Sequence, residues 1–384
     1  MMYRHIIILQ LVAFVSTQTI IKAADITRAI HDIFGTPCKT TDDMMGVCVT
    51  YYQCSKNGTV VTDGTDIIDI RVKDGPCPSY LDVCCLLDDV SASNNPNEAE
   101  PKHKDCGWRN PQGVGFQTIG DNNHEAKFGE FPWMVAVIKL EPVNQDNPSA
   151  YVNLYLGGGS LINPSAVLTA AHTARGRPLL ARAGEWDTQT EKEVYPYQDR
   201  NVKEVVVHKD FNGGNLFYDI ALLFLESPMT LAPNVGVVCL PPQGLRAKAG
   251  SKCFASGWGK DKFGKEGNYQ NIMKKVELPV VDRKVCQNNL RKTRLGSNFL
   301  LHTSFMCAGG EPGVDTCEGD GGSPLVCPIE FETERYMQSG IVSWGIGCGQ
   351  DGAPGVYVDV ANLRGWIDNE IIRRGLSTTD YTFK

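Results

Sequence analysis

The chain has 384 residues, 14 cysteines and a formal net charge of −7. Acidic and basic residues are mixed along its length, which excludes the one-sided basic footprint of a nucleic-acid-binding surface. The length suits one small module plus one larger domain of about 250 residues.

The chain opens Met1-Met-Tyr-Arg-His, runs apolar from Ile6 to Val15, then turns polar at Ser16, Thr17 and Gln18. A basic start before a short apolar core reads as a secretory signal peptide over residues 1–24, too short to span a bilayer. Small residues at Ala23 and Ala24 offer a cleavage site, with Thr17 or its neighbours as the alternative. No later run approaches the length of a transmembrane helix, so a soluble, secreted, extracellular protein with no membrane span is expected. Fourteen cysteines behind such a leader imply disulfides in an oxidising compartment. Paired Cys-x-x-Cys or clustered His at ligand spacing are absent, so no metal centre is expected.

Residues 25–87 hold Cys38, Cys48, Cys54, Cys77, Cys84 and Cys85. A segment this small buries too little apolar surface to be stable alone, so crosslinks must supply what the core cannot. Six cysteines allow fifteen connectivities, and spacing does not choose among them. The same segment carries the sequon Asn57-Gly-Thr59, a candidate glycosylation site in a secreted chain. It also carries Arg71 in Asp69-Ile-Arg-Val-Lys73, either an ordinary loop arginine or an exposed cut site for a trypsin-like enzyme. Residues 88–105 are rich in Ser, Asn, Pro, Glu and Lys and read as a solvated linker.

The larger domain, 106–384, shows short apolar or alternating runs between turn residues: Trp133–Lys139, Val167–Ala171, Val202–Val207, Ile220–Phe224, Val276–Val280, Ser339–Trp344 and Gly355–Val360. That spacing predicts an antiparallel all-β fold. Leu363, Trp366, Ile367 and Ile371 stand at helical spacing and predict a final amphipathic helix over Asn362–Arg374.

Five short motifs lie in this domain. They are Leu168-Thr-Ala-Ala-His172, Asp219-Ile-Ala-Leu-Leu223, Gly319-Asp-Gly-Gly-Ser-Pro324, Ser256-Gly-Trp-Gly259 and Ser343-Trp-Gly345. In this order and spacing they resemble the chymotrypsin-type serine proteases over residues 106–374. The cysteine group of residues 25–87, closed by its Cys-Cys pair, resembles the clip domain that precedes arthropod serine proteases. The resemblance implies a chymotrypsin-like double six-stranded β-barrel with a C-terminal helix, preceded by a small disulfide-rich clip domain. It also implies the bridges Cys38–Cys84, Cys48–Cys77, Cys54–Cys85, Cys106–Cys239, Cys253–Cys327, Cys286–Cys307 and Cys317–Cys348. The family bridge beside the histidine is missing at both ends, with Gly157 and Thr173 in place of its cysteines. Its loss removes a staple of about 2–4 kcal/mol.

By the same resemblance His172 and Asp219 stand for the catalytic base and its orienting carboxylate, while Gly321 occupies the nucleophile's position. Hydrogen cannot attack a carbonyl, so the chain is expected to be a pseudoprotease. Ser323 lies two residues further on, a displacement of roughly 6–7 Å along extended backbone, and Pro324 restricts it. The activation start is also altered: within Gly115–Trp133 no Lys or Arg immediately precedes an apolar N-terminus. Asp320 is therefore expected to lack its ammonium partner, leaving its loop zymogen-like. Asp315, Gly345 and Gly355 match the family's pocket for Arg or Lys side chains, read either as a retained site or as a collapsed relic. A calcium ion on the loop after Gly184-Glu185 fits the fold, but its other carboxylates are not clearly placed, so no cofactor is assigned.

The chain after its leader is similar to clip-domain serine protease homologues of arthropod haemolymph. Membership implies a non-catalytic cofactor in the cascade that activates prophenoloxidase for melanisation, an innate-immune reaction. The implied partners are an upstream clip-domain protease that cuts at Arg71, prophenoloxidase, its activating protease, and further copies of the chain after cleavage. The alternatives are an adhesive or matrix-associated protein, and a weak trypsin-like peptidase using Ser323.

Overall fold

The structure is a computed structural model that describes residues 36–40, 42–50, 54, 76–79, 82–86, 105–114, 124–144, 147–176, 178–191, 193–261, 266–313 and 315–383. The leader, Asn57, Arg71, almost all of the linker and the segment 115–123 lie outside them. The chain divides into two compact units, Met1–Asn94 and Asn95–Lys384.

The first unit is a three-stranded antiparallel sheet of β1 (Pro37–Lys39), β2 (Met45–Thr50) and β3 (Asp82–Cys85), in that order. Adjacent residues on a strand point to opposite faces, and this explains the Cys84-Cys85 pair. One sulfur bridges to Cys38, the other to Cys54, and a third bridge joins Cys48 to Cys77. Gly46 sits where a side chain would meet the Cys85 carbonyl oxygen at 2.5 Å. The sheet buries few large side chains, so covalent crosslinks replace a core.

The second unit holds two closed six-stranded barrels, a chymotrypsin-like arrangement. The first comprises β4 (Met134–Asn144), β5 (Asn147–Asn163), β6 (Ala166–Thr169), β7 (Leu179–Ala183), β8 (Gln198–Val207) and β9 (Ala221–Leu225). Its interior is filled from alternate strand positions, such as Val135 and Val137, Ala181 and Ala183, and Ala221, Leu223 and Leu225. The second comprises β10 (Lys252–Gly257), β11 (Lys274–Val281), β12 (Phe305–Ala308), β13 (Pro324–Pro328), β14 (Tyr336–Trp344) and β15 (Gly355–Asp359). Cys253–Cys327 lies in its core beside Leu278, Leu325 and Tyr357.

Two helices decorate the second barrel. Helix α1 (Arg283–Arg291) starts where the Asp282 carboxylate accepts from the amides of Lys284 and Val285. It buries Cys286, bridged to Cys307, and Leu290. Helix α2 (Val360–Arg373) is capped by Asp359 and buries Leu363, Ile367 and Ile371 along one stripe. Bridges Cys106–Cys239 and Cys317–Cys348 tie the remaining loops, and no cysteine is free. Among the described residues no helix is long and apolar enough to cross a membrane.

Candidate functional site

His172 follows β6, and Asp219 stands just before β9, the strand that pairs with β6. That pairing brings two residues 47 positions apart into contact. Asp219 is fully buried. Its Oδ2 lies 2.6 Å from His172 Nδ1, while Oδ1 accepts from the His172 amide at 2.9 Å. Ser343, at the end of β14, donates its hydroxyl to the same Oδ2 at 2.7 Å. A buried carboxylate with three donors is a fixed acceptor that holds the imidazole in one orientation.

Gly321 faces the other side of that ring. A Cβ built on Gly321 would run into His172 Nε2, so this is the position from which a side chain would address the imidazole. Gly321 has no side chain to do so. Its carbonyl oxygen accepts from the Gly158 amide at 3.0 Å and from Thr173 Oγ1 at 3.0 Å. Gly157, the other end of the missing bridge, is packed on Thr173: a Cβ there would lie 2.9 Å from Thr173 Cγ2 and would also collide with the Gly321 carbonyl. Where the resemblance places a disulfide, the chain makes a close backbone contact.

Ser323 is fully buried, and its hydroxyl has no hydrogen-bond partner. The Oγ lies against Gly158, where any Cβ would overlap it. A hydroxyl so placed has no solvent access from which to meet a substrate carbonyl.

Asp320 accepts from the amides of Gly259 and Cys317, each at 2.9 Å. Burial pushes its carboxyl up to about 6, against which the two amides pull down. The two N–H groups order the loop, and among the described residues no cation lies against the carboxylate.

Asp315 accepts from Thr316 N at 2.9 Å and Gly349 N at 3.1 Å; burial, with Asp320 adding repulsion, pushes it up to about 6. Gly355 touches it, since a Cβ there would lie 3.1 Å from Asp315 Oδ1. Gly345 lines a groove of about 720 Å³ with Lys292, Arg294 and Gln350, and Asp315 and Asp320 share a cavity of about 380 Å³ with Lys260 and His124.

On the loop after Gly184, burial raises Glu185 and lifts Glu193 to about 7, with Glu185 and Asp187 adding repulsion. Arg182 already occupies Glu185 at 3.2 Å. Among the described residues the only three metal-capable side chains that converge are Cys38, Cys48 and Cys77, which are in disulfides. Glu185, Asp187 and Glu193 are not among the converging groups.

Sequence reasoning gave no role to Ser343 or Thr173. The only sequence signal for Ser343 is its place at the start of Ser343-Trp-Gly345. It also missed the left-handed backbone of Leu216 and Tyr218, at φ 58° and 53°, just before Asp219. Stacking of Tyr218 on His208 at 4.7 Å and donation of its amide to Ser304 Oγ hold that strained turn.

The trypsin family model matches residues 121–367, and the model of the serine protease clip domain PPAF-2 matches 35–86. The chain belongs to the trypsin family, in its clip-domain branch. It is 68% identical over 290 residues to phenoloxidase-activating factor 2 of Galleria mellonella, covering 75% of this chain and 96% of that one. Inactive CLIP domain-containing serine protease A8 of Anopheles gambiae is 38% identical over 332 residues, covering 85% and 88% of the two chains. Inactive CLIP domain-containing serine protease A28 of the same mosquito is 37% identical over 355 residues, covering 86% and 90%.

Proposed function

We propose that this chain is a secreted, non-catalytic serine protease homologue that acts as a cofactor in the extracellular cascade activating prophenoloxidase. The observation that carries the reading is Gly321: the backbone arrives at His172 Nε2 with no nucleophile on it. Removing the serine of such a triad costs on the order of 10⁶ in turnover, and buried Ser323 offers no substitute. The His172–Asp219–Ser343 group then serves as a rigid joint between the barrels. Similarity to a phenoloxidase-activating factor and to two proteins named inactive CLIP proteases supports the same reading.

In this reading an upstream clip-domain protease cuts at Arg71. The bridges Cys48–Cys77 and Cys54–Cys85 span that position, so the cut loosens the clip unit without releasing a fragment. The cut chain self-associates and presents prophenoloxidase to its activating protease in haemolymph. Asn57 carries a glycan, and Asp315 is a relic of a specificity pocket.

Reconstitution tests the proposal. Phenoloxidase activity is measured from prophenoloxidase and its activating protease, with the intact chain, the cut chain and an Arg71→Gln variant. Enhancement by the cut chain alone is expected, and no enhancement by any form overturns the cofactor role. Separately, turnover of a fluorogenic arginine substrate that is abolished by Ser323→Ala would overturn the non-catalytic reading.

A further inference from the structure

A cavity of about 410 Å³ opens on the second barrel, bounded by the segment before β10, the start of α1, β12 and the junction of β15 with α2. None of its lining residues belongs to the His172–Asp219–Gly321 group. The size falls within the range of small-ligand pockets.

Its walls are apolar: Ala247, Val280, Phe305, Met306 and Ala361. Its polar groups are few. Arg246 binds Asp359 through Nε at 2.5 Å, while its side chain stays 55% exposed. Among the described residues the terminal Nη groups of Arg246 meet no protein acceptor. Arg283 donates only to carbonyl oxygens, those of Phe305 at 2.7 Å and Leu301 at 2.5 Å, so no carboxylate is hydrogen-bonded to its charge. Partial desolvation first, and the nearby Arg246 second, lower its pKa. Both acids at the rim are committed, Asp282 to the cap of α1 and Asp359 to the cap of α2 and to Arg246.

Ser339 supplies an independent observation. It lines the same cavity at 3% exposure, and its hydroxyl has no hydrogen-bond partner. A buried hydroxyl left unpaired costs about 1–3 kcal/mol, a cost relieved by an acceptor in the cavity. Free cationic N–H groups at the mouth, an unpaired hydroxyl and an apolar wall together describe an acceptor group attached to a hydrophobic body. Two acids at the rim offset the two arginines, so the site has no surplus positive charge, and the carboxylates repel a dianion such as phosphate more than a single negative charge.

We propose that this cavity binds a carboxylate carried on a short apolar body, anchored by Arg246 and Ser339, with the body on Val280, Phe305 and Met306. A peptide ending in an apolar residue and a free short-chain fatty acid share this chemistry.

Titration calorimetry on the full-length protein distinguishes these sources. N-acetyl-leucine represents the peptide end and hexanoate the free acid, with N-acetyl-leucinamide and inorganic sulfate as controls. Saturable 1:1 binding of at least one acid, with neither control binding, supports the site, and the tighter acid identifies the source. Arg246→Gln is expected to weaken that acid about tenfold, the equivalent of one charged hydrogen bond. Because Arg246 also touches the cap of α2, Ala247→Trp is the second variant: it fills the cavity at unchanged charge and should abolish binding. Three results overturn the proposal: no saturable binding of either acid, equal binding of the amide or sulfate, or binding that survives Ala247→Trp.

Discussion

Thr173 Oγ1 donates a 3.0 Å hydrogen bond to the carbonyl oxygen of Gly321. The residue next to His172 is thereby tied to the backbone of the position opposite the imidazole, where the family resemblance places a nucleophile and a neighbouring disulfide. The tie is buried, with Thr173 at 3% exposure. Thr173→Val keeps the shape and removes the donor, leaving the Gly321 carbonyl with the Gly158 amide alone. We expect a loss of about 1 kcal/mol, read as a lower midpoint in urea with an unchanged slope.

Ser323→Ala should act in the opposite direction. Its hydroxyl is buried against Gly158 without a partner, so removing the oxygen relieves a desolvation cost. A gain of about 1 kcal/mol is expected, checked by thermal unfolding. A loss of similar size would mean that the hydroxyl has a partner in solution.

Asp315 provides a pH test. Its carboxyl is raised from 3.8 to about 6, first by burial. A raised carboxyl binds protons more tightly in the folded state than in the unfolded one. Its contribution therefore weakens the fold as pH rises from about 4 to about 6, and the penalty is complete above that window. Asp315→Asn loses an acceptor at every pH but removes the titration. The melting temperature of the variant minus that of the wild type should shift in the variant's favour between pH 4 and pH 7. A flat difference would show that Asp315 titrates normally.

Arg374 joins elements far apart in the chain. Its guanidinium binds Glu204 on β8 at 2.6 and 2.8 Å and Glu370 on α2 at 2.8 Å, and lies 4.3 Å from the Phe224 ring centre. The helix that follows the second barrel is thus clamped to the first. Arg374→Ala is expected to cost about 1–2 kcal/mol, limited by the half-exposed Glu204. Arg374→Lys should recover only part, because an ammonium cannot make the two-pronged contact with Glu204. Urea denaturation of the three proteins checks both statements.

Several elements are legible in the sequence alone. The run at 133–139 overlaps β4, which starts one residue later, the run at 276–280 lies in β11, and the stripe of Leu363, Ile367 and Ile371 buries α2, which begins two residues earlier than expected. The 17-residue strand β5 was not legible. Gly157, Gly158 and Gly159 offer no side chains to alternate, and Gly158 and Gly159 are selected by contacts from elsewhere, with Ser323 and Val167 against them. Helix α1 was missed because only Cys286 and Leu290 of its nine residues are buried, too few to show a period.

The site divides in the same way. Local chemistry was sufficient to single out Gly321, because the absence of a side chain is a property of one residue and needs no fold. It was also sufficient to nominate His172 and Asp219, whose motifs are continuous in the chain. What required the tertiary structure was every relation across strands. These are the Ser343 hydroxyl on Asp219, the Thr173 donor on Gly321 and the burial of Ser323 against Gly158. The two hydrogen bonds join residues 124 and 148 positions apart through barrel closure, and a one-dimensional pattern carries no distance between them.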